Sequence, residues 1–370
     1  MHSPRPAPAL ALIALALAAC GSSSQRAADD AGSPIEGGTS PVIKTLASSR
    51  TESGGIAVQG TNVYWVSSYP EDSNAGPDGT GYLLTVPSAG GAVTTLGTAA
   101  GPHAVAADAT NVYWTTDNDD PNATTAGGLL RMTPRAGGAT TTIATGLQME
   151  VNRVALGPTG VYWLSTGGLS AGTILMQTPL GGGTAATIFS PPEGDQIQDF
   201  VVDATNLYWA ELNSSVGKSA VVTVDIMKMP LAGGTPATLA SGQPCNWSTP
   251  CTAVVVGSSS VFWSDDGGVE SVPIAGGAAT TLVPRQSVKP VAVDSGFVYL
   301  AAFGQQVPFA QLMKVPLSGG ATTLLASLSQ SLDFLTGVAI DGTSLYLATT
   351  ENCVDSGGDP CAVVKKVTPK

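Results

Sequence analysis

"AVAADATNVYWTTDNDDPNATTAGGLLRMTPRAGGATTTIATG", Ala104 to Gly146, is one complete unit of a pattern that the chain repeats. A run of small apolar residues ends in Asp108, and the turn residues Ala-Thr-Asn lead to an aromatic pair, Tyr113-Trp114. After an irregular stretch comes an apolar segment closed by Pro134, then Gly137-Gly138, then a Thr-rich run. Apolar runs of strand length separated by turn chemistry predict four short strands. The proline closes the third strand, where it removes no central ladder bond, and the glycines supply positive φ. The first strand is built of side chains small enough to crowd around an axis. The aromatic pair lies on the second, so both faces of that strand must meet neighbouring sheets. The Thr-rich fourth is β-forming yet tolerant of water, as an outer edge requires.

The unit occurs seven times, anchored at Asn62–Trp65, Asn111–Trp114, Gly160–Trp163, Asn206–Trp209, Ser260–Trp263, Phe297–Leu300 and Ser344–Leu347. Each anchor is followed by a segment ending in proline, among them "LLTVP", "IMKMP" and "VKKVTP". Tyr64 and Tyr346 lie 282 residues apart over six intervals, a period of 47. Four-stranded units of about 40–50 residues describe the blades of a β-propeller. The predicted fold is therefore all-β, a seven-bladed β-propeller of four-stranded blades. Two loose ends complete it. "PVIKTLASS" (Pro41–Ser49) resembles a fourth strand with no first three, and the seventh unit stops after its third at Val367-Thr368-Pro369. The N-terminal strand is expected to complete the last blade and close the ring, protecting two open edges.

The 370 residues are ample for a large core. Apolar residues make up 43% and charged ones only 11%, which suits an all-β protein with a Thr- and Ser-rich surface. The net charge of −12 is spread thinly and argues against nucleic acid, whose phosphates need a basic surface.

The repeat motif resembles the YWTD, NHL and related six-bladed propeller repeats, and through them the TolB-like and SMP-30-like propeller superfamilies. "NVYWTTD" (Asn111–Asp117) is the nearest local match. The chain departs from that pattern in having seven repeats and no regular Asp after the aromatic pair. The resemblance implies a fold and says little about function.

Residues 1–19 read as an export signal, 20–40 as a flexible tether and 41–370 as the propeller. Ala9–Ala19 is apolar but too short to span a bilayer. Leu17-Ala18-Ala19-Cys20 resembles the lipobox of bacterial lipoproteins. That resemblance implies cleavage before Cys20, diacylglycerol on its sulfur and membrane attachment through the lipid alone. The alternative is a secretory signal with an incidental cysteine. Gly21 after the cysteine favours the outer membrane, by analogy with enteric lipoproteins. Gly21–Ser40 is small, polar and aperiodic, with a mean reach of roughly 25 Å as a coil. Five cysteines leave four once Cys20 is lipidated, in two close pairs, Cys245/Cys251 and Cys353/Cys361. Export to an oxidising compartment favours two local disulfides. A four-cysteine zinc site is the alternative, with spacings wider than usual.

In propellers the loops from second to third strand, and from fourth strand to the next first, share one face. Here those loops are long and irregular, and variation collects where ligands bind. Trp247 sits inside the Cys245–Cys251 loop, and Phe303 and Phe309 lie in the sixth unit's loop. Between them the fifth unit's loop, "SDDGG", is the shortest. Two raised apolar loops beside a low blade would make a notch with aromatic anchors. At the channel mouth the alignment gathers His103, Asn152, Arg153, Gln198, Asp199 and Lys289. Propeller lyases and lactonases work at this location, which implies a histidine base or a metal site; one carboxylate in the ring, with Glu150 beside it in sequence, is thin for a metal. "GLSAG" (Gly168–Gly172) matches a nucleophile motif that has meaning only on a strand-to-helix turn. "DNDDPN" (Asp117–Asn122) fails the calcium-loop pattern and reads as a solvated acidic loop. The reading that results is a monomeric envelope module binding a protein, peptide or glycan, with no cofactor and no metal; a channel-mouth lyase or lactonase around His103 is the alternative.

Overall fold

In the computed structural model, Ser40–Lys370 forms one compact unit. The structure describes residues 40–49, 52–68, 80–117, 127–147, 153–167, 171–213, 222–245, 253–284, 288–302, 311–328, 334–352 and 360–370. These form 28 strands and no helix, in seven four-stranded antiparallel sheets.

Strand β1 (Val42–Ser49) comes first in the chain but belongs to the last blade. Blade 1 is β2 (Glu52–Gln59), β3 (Asn62–Ser68), β4 (Thr80–Pro87) and β5 (Thr94–Ala100). Blade 2 is β6 (Val105–Ala107), β7 (Asn111–Thr116), β8 (Gly128–Pro134) and β9 (Thr141–Leu147). Blade 3 is β10 (Val154–Leu156), β11 (Gly160–Gly167), β12 (Ala171–Pro179) and β13 (Ala186–Phe189). Blade 4 is β14 (Gln196–Val202), β15 (Asn206–Asn213), β16 (Val222–Pro230) and β17 (Ala237–Cys245). Blade 5 is β18 (Val254–Val256), β19 (Ser260–Asp265), β20 (Gly268–Pro273) and β21 (Thr280–Pro284). Blade 6 is β22 (Val288–Val293), β23 (Phe297–Ala302), β24 (Gln311–Pro316) and β25 (Thr323–Ser327). Blade 7 is β26 (Phe334–Ile340), β27 (Leu345–Asn352), β28 (Pro360–Thr368) and then β1.

The expected closure is present. β1 pairs antiparallel with β28, from Val42 opposite Thr368 to Ser49 opposite Ala362. Leu46 and Ala47 of β1 are buried with Ile56, Trp65 and Tyr346 between blades 7 and 1. Lys44 Nζ donates to the Ala89 carbonyl at 2.8 Å and Lys366 Nζ to the Ser88 carbonyl at 3.1 Å, so the last blade also grips the first blade's outer turn.

The core is divided among seven interfaces rather than gathered at one centre. Successive side chains on a strand point to opposite faces, so the aromatic pair of each second strand serves two interfaces. Tyr64 packs with Trp114 of the next blade, Tyr113 with Trp163, Tyr162 with Trp209 and Tyr208 with Trp263. Phe262 then meets Leu300, Tyr299 meets Leu347, and Tyr346 meets Trp65 to complete the circle. All five of these indoles are fully buried. Truncating a ring in such a place costs about 3–5 kcal/mol.

One turn recurs on the face opposite the long loops. In six blades the first glycine of Pro-x-x-Gly-Gly donates its N–H to the proline carbonyl at 2.8–3.0 Å. Both glycines hold positive φ, for example 88° and 144° at Gly276 and Gly277, which side-chain-bearing residues rarely adopt. The fourth strands carry mostly exposed threonines, as in β5 and β21.

Candidate functional site

The first strands of all seven blades line a central cavity of about 550 Å³. Small residues make this possible: a side chain at Gly55 would come within about 3.0 Å of the Val105 backbone. The walls carry Ile56, Val105, Val154, Ile197, Val291 and Val338, and the polar lining includes Arg153, Gln198, Asp199 and Lys289. The sequence predicted these four polar residues at the channel mouth, and the structure brings them into one cavity.

Asp199 organises the cluster. Its neighbours on β14 hold it at the cavity wall with only 6% exposure. Arg153 Nη1 donates to both its oxygens, at 2.9 and 3.0 Å. The backbone N–H of Val254 donates to Oδ2 and that of Phe200 to Oδ1, each at 2.9 Å. Burial pushes the Asp199 carboxyl above the ordinary carboxylate range; Arg153, the two N–H groups and Lys289 pull it back. Burial likewise depresses the Lys289 ammonium, Asp199 opposes that effect and Arg153 adds to it. Asp199 thus ties blades 3, 4 and 5 together, and its oxygens are committed to protein donors. Arg153 is the more exposed partner, at 40% for its side chain against 8% for Asp199.

His103 does not line this cavity. Its Nε2 lies 3.0 Å from Asp117 Oδ1, and its backbone bridges blades 1 and 2 through Gly55 N–H and the Thr115 carbonyl. Asp117 is held at the end of β7, its N–H donating to the Ala100 and Gly101 carbonyls. A second set of acids, which the sequence reading did not single out, lies at the loop-side ends of the second strands. Trp209 Nε1 donates to Glu211 Oε2 at 2.8 Å, and Gly267 N–H to Asp265 Oδ1 at 2.7 Å. Burial raises the pKa of Glu211, Asp265 and Glu270. Among the described residues no group of three metal-ligating side chains converges.

The aromatic anchors Trp247, Phe303 and Phe309 lie outside the described residues, as do Cys20, Cys251, Cys353 and Asn152. Cys245 ends β17 and Cys361 is buried in β28. The fifth blade's loop is described, and it is a tight turn: Asp265 pairs directly with Gly268. Gly168–Ser170 of "GLSAG" also lie outside the described residues. The flanking β11 and β12 pair antiparallel, so that segment links two strands of one sheet rather than a strand to a helix.

The architecture defines a closed seven-bladed β-propeller with a polar cluster at its channel. Solved propellers resemble it in fold alone. The β-propeller domain of the Trilobed protease from Pyrococcus furiosus aligns with a TM-score of 0.60 at 8% identity, over 81% of this chain and 91% of that one. That domain is described as having an open velcro topology, whereas this ring is closed by β1. The tricorn protease aligns with a TM-score of 0.57 at 11% identity, and this chain spans about a third of it. TolB from Acinetobacter baumannii aligns less well, with a TM-score of 0.43 at 12% identity, over 83% of this chain and 80% of that one. No protein-family description and no curated protein matches the sequence.

Proposed function

We propose that the chain is an exported, lipid-anchored binding module of the cell envelope, engaging a protein, peptide or glycan through its loop face. The observation that carries this reading is the asymmetry of the two faces. One face is closed by six near-identical hydrogen-bonded turns. The other carries the cavity mouth, the low fifth blade and the connections that vary in length and sequence from unit to unit. Cys20 is the lipid attachment point in this reading, with residues 1–19 removed, 20–40 the tether and the outer membrane the destination. The protein acts as a monomer. Cys245 pairs with Cys251 and Cys353 with Cys361; that Cys245 and Cys361 are not free thiols supports the pairing. The partner site is the notch between the Trp247 loop and the Phe303/Phe309 loop. The test is capture from envelope extract by the purified propeller, with a Trp247→Ala/Phe309→Ala double variant beside it. Loss of a reproducibly captured partner supports the notch; equal capture by both proteins removes it.

One observation favours a second reading, a lyase or lactonase. A carboxylate 3.0 Å from an imidazole nitrogen, as in His103–Asp117, is the orienting half of a general-base pair. Screening lactones and uronate-containing glycans, with His103→Ala and a chelator as controls, separates the two. An activity abolished by His103→Ala would displace the binding module.

A further inference from the structure

Exposed apolar side chains gather on one sector of the turn face. Among the described residues the exposed large hydrophobics are Val42, Ile43, Val93 and Leu324, between 42% and 64% accessible. Val42 and Ile43 open β1, the outer strand of blade 7, beside Thr368 at the end of β28. Val93 immediately precedes β5 of blade 1, and Leu324 is the second residue of β25 in blade 6. All four thus sit where a fourth strand leaves the turn face, on three consecutive blades. From the second turn glycine to the second residue of the fourth strand, blades 2 to 5 carry only threonine, alanine and Pro236. Single exposed apolar residues are ordinary, whereas a set confined to neighbouring blades marks an interaction surface. Two lysines lie within it. Lys44 and Lys366 stand directly opposite each other on β1 and β28, an arrangement that like charges disfavour. They line a small pocket of about 210 Å³ with Val42, Ser88, Ala89 and Thr368. Each ammonium gives one hydrogen bond, to the Ala89 and Ser88 carbonyls, and Lys366 also lies over the Tyr346 ring at 5.5 Å. Among the described residues neither forms an ion pair with a carboxylate, and each ammonium carries three donors.

From this placement we infer that the turn-face rim of blades 6, 7 and 1 rests on the surface of an anionic phospholipid bilayer. The apolar side chains enter the headgroup layer, and the two ammoniums meet lipid phosphates. The path of the chain argues for this occupant. Ser40 and Pro41 lead straight into Val42, so the segment that carries Cys20 joins the ring in this sector and on this face. As a coil its mean reach is roughly 25 Å, which holds this rim within range of the bilayer. The lysines place positive charge here in a chain whose net charge is −12, so this sector is drawn to an anionic surface that the rest of the molecule resists. An acyl anchor sets distance and leaves orientation open. A second contact at this rim turns the loop face away from the bilayer, where a partner can reach it. The inference rests on the lipid-anchored reading, because the anchor is what brings the rim to the membrane.

The test supplies the anchor chemically. The chain from Cys20 onward is coupled through that residue to a lipid in vesicles of equal parts phosphatidylcholine and phosphatidylglycerol, and amide hydrogen exchange is followed by mass spectrometry. Segments 42–46, 90–96 and 321–326 are expected to exchange about threefold more slowly than in the unattached protein, with segment 233–239 of blade 4, on the same face across the ring, unchanged. Val42→Ser/Leu324→Ser, two changes at exposed positions, should abolish the slowing, and Lys44→Gln should remove its preference for phosphatidylglycerol. No slowing, equal slowing of segment 233–239, equal slowing on phosphatidylcholine alone, or slowing that survives the double variant would overturn the inference. Slowing of the same segments at raised protein concentration without vesicles would assign the surface to a second copy of the chain and overturn it as well. The comparison of attached and unattached protein stands even where a variant folds poorly. Labelling of the expressed chain with radioactive palmitate, beside Cys20→Ser, tests the anchor separately. An unlabelled chain removes the lipid-anchored reading, whereas a labelled chain whose rim exchanges freely on vesicles removes the rim contact alone.

Discussion

One residue pair recurs beneath the blades and shows why the sequence repeats as it does. In four blades an Asp begins the first turn and accepts a hydrogen bond from the tyrosine five residues on. The pairs are Asp108–Tyr113, Asp203–Tyr208, Asp294–Tyr299 and Asp341–Tyr346, at 2.7–3.0 Å. The other carboxylate oxygen caps the turn through backbone N–H groups, for example those of Thr205 and Asn206, both at 2.6 Å. Where the Asp is missing, the aromatic changes its arrangement. Blade 1 has Gln59, and Tyr64 instead accepts from Arg135 Nε at 2.7 Å. Blade 5 has Gly257 and a phenylalanine, Phe262. Blade 3 has Gly157, and the buried Tyr162 hydroxyl has no hydrogen-bond partner among the described residues. Tyr208→Phe should therefore lose about 1–2 kcal/mol in denaturant unfolding, as expected for a bond to a charged group. Tyr162→Phe should stay within about 0.5 kcal/mol or gain stability, because it removes an unpartnered buried hydroxyl. Equal losses in the two would show that the carboxylate contributes nothing. The same pairs have a pH signature. Burial alone would raise the pKa of Asp203, but the Thr205 and Asn206 N–H groups and the Tyr208 and Thr205 hydroxyls lower it overall. Its contribution is fully present above the unfolded carboxylate value of about 3.9 and is lost as pH falls through the lower folded value. On the alkaline side, burial and the Asp341 hydrogen bond lead a rise in the Tyr346 pKa to about 12, so its contribution is complete below pH about 10 and fades as pH climbs through about 12. The stability difference between wild type and Asp203→Asn should thus shrink between pH 5 and pH 2. Asp199, Glu211, Asp265 and Glu270, all raised, act in the opposite sense on the total and cancel in that difference.

Among elements, β1 differs from every other fourth strand because no turn of its own sheet delivers it. It is held by its ladder to β28, by burial of Leu46 and Ala47 and by the Lys44 contact to Ala89. Deleting residues 41–49 would expose the β28 edge and the apolar seam between blades 7 and 1. A loss well beyond that of an exposed edge strand is expected, with thermal unfolding still cooperative but at a clearly lower midpoint. An unchanged midpoint would mean that closure at this seam does not hold the ring. The strands were legible in the sequence because each carries a local signature: proline at the end of the third, paired glycines after it and an aromatic pair on the second. The β1 assignment needed only a count of strands against that template. The site was legible in part, and for a different reason. Arg153, Asp199 and Lys289 fall at equivalent positions of three blades, so the repeat alignment alone brought them together. The His103–Asp117 pair was not foreseen, because Asp117 follows the second strand, and whether the side chain above it turns to the channel or to the loop depends on packing. The buried acids Glu211 and Asp265 gave no signal, since polar residues after an aromatic pair read as the beginning of a loop.

For the whole molecule, seven near-equivalent interfaces imply that the ring has no privileged starting blade. Tyrosine of one blade meets tryptophan or leucine of the next all the way round, ending with Tyr346 against Trp65. If closure resides in that geometry and not in chain order, moving β1 to the other end should leave the fold intact. Elsewhere the third strand reaches the fourth with fixed spacing: Lys314 pairs with Thr323 across the turn that begins at Pro316. Ile43 pairs with Val367, the position equivalent to Lys314 before Pro369. A Ser-Gly-Gly linker from Lys370 to Pro41 reproduces that spacing and supplies the missing glycine turn. A permuted chain of residues 52–370, this linker and residues 41–49 should therefore adopt the same ring. Its melting temperature should equal or exceed that of the unpermuted chain, because a strand held by a short covalent turn loses less entropy on docking than one recruited from a distant terminus. A permuted chain that melts well below the parent, while still showing a β-sheet spectrum, would place part of the stability in the N-terminal connection between β1 and β2 rather than in the closed circle of interfaces.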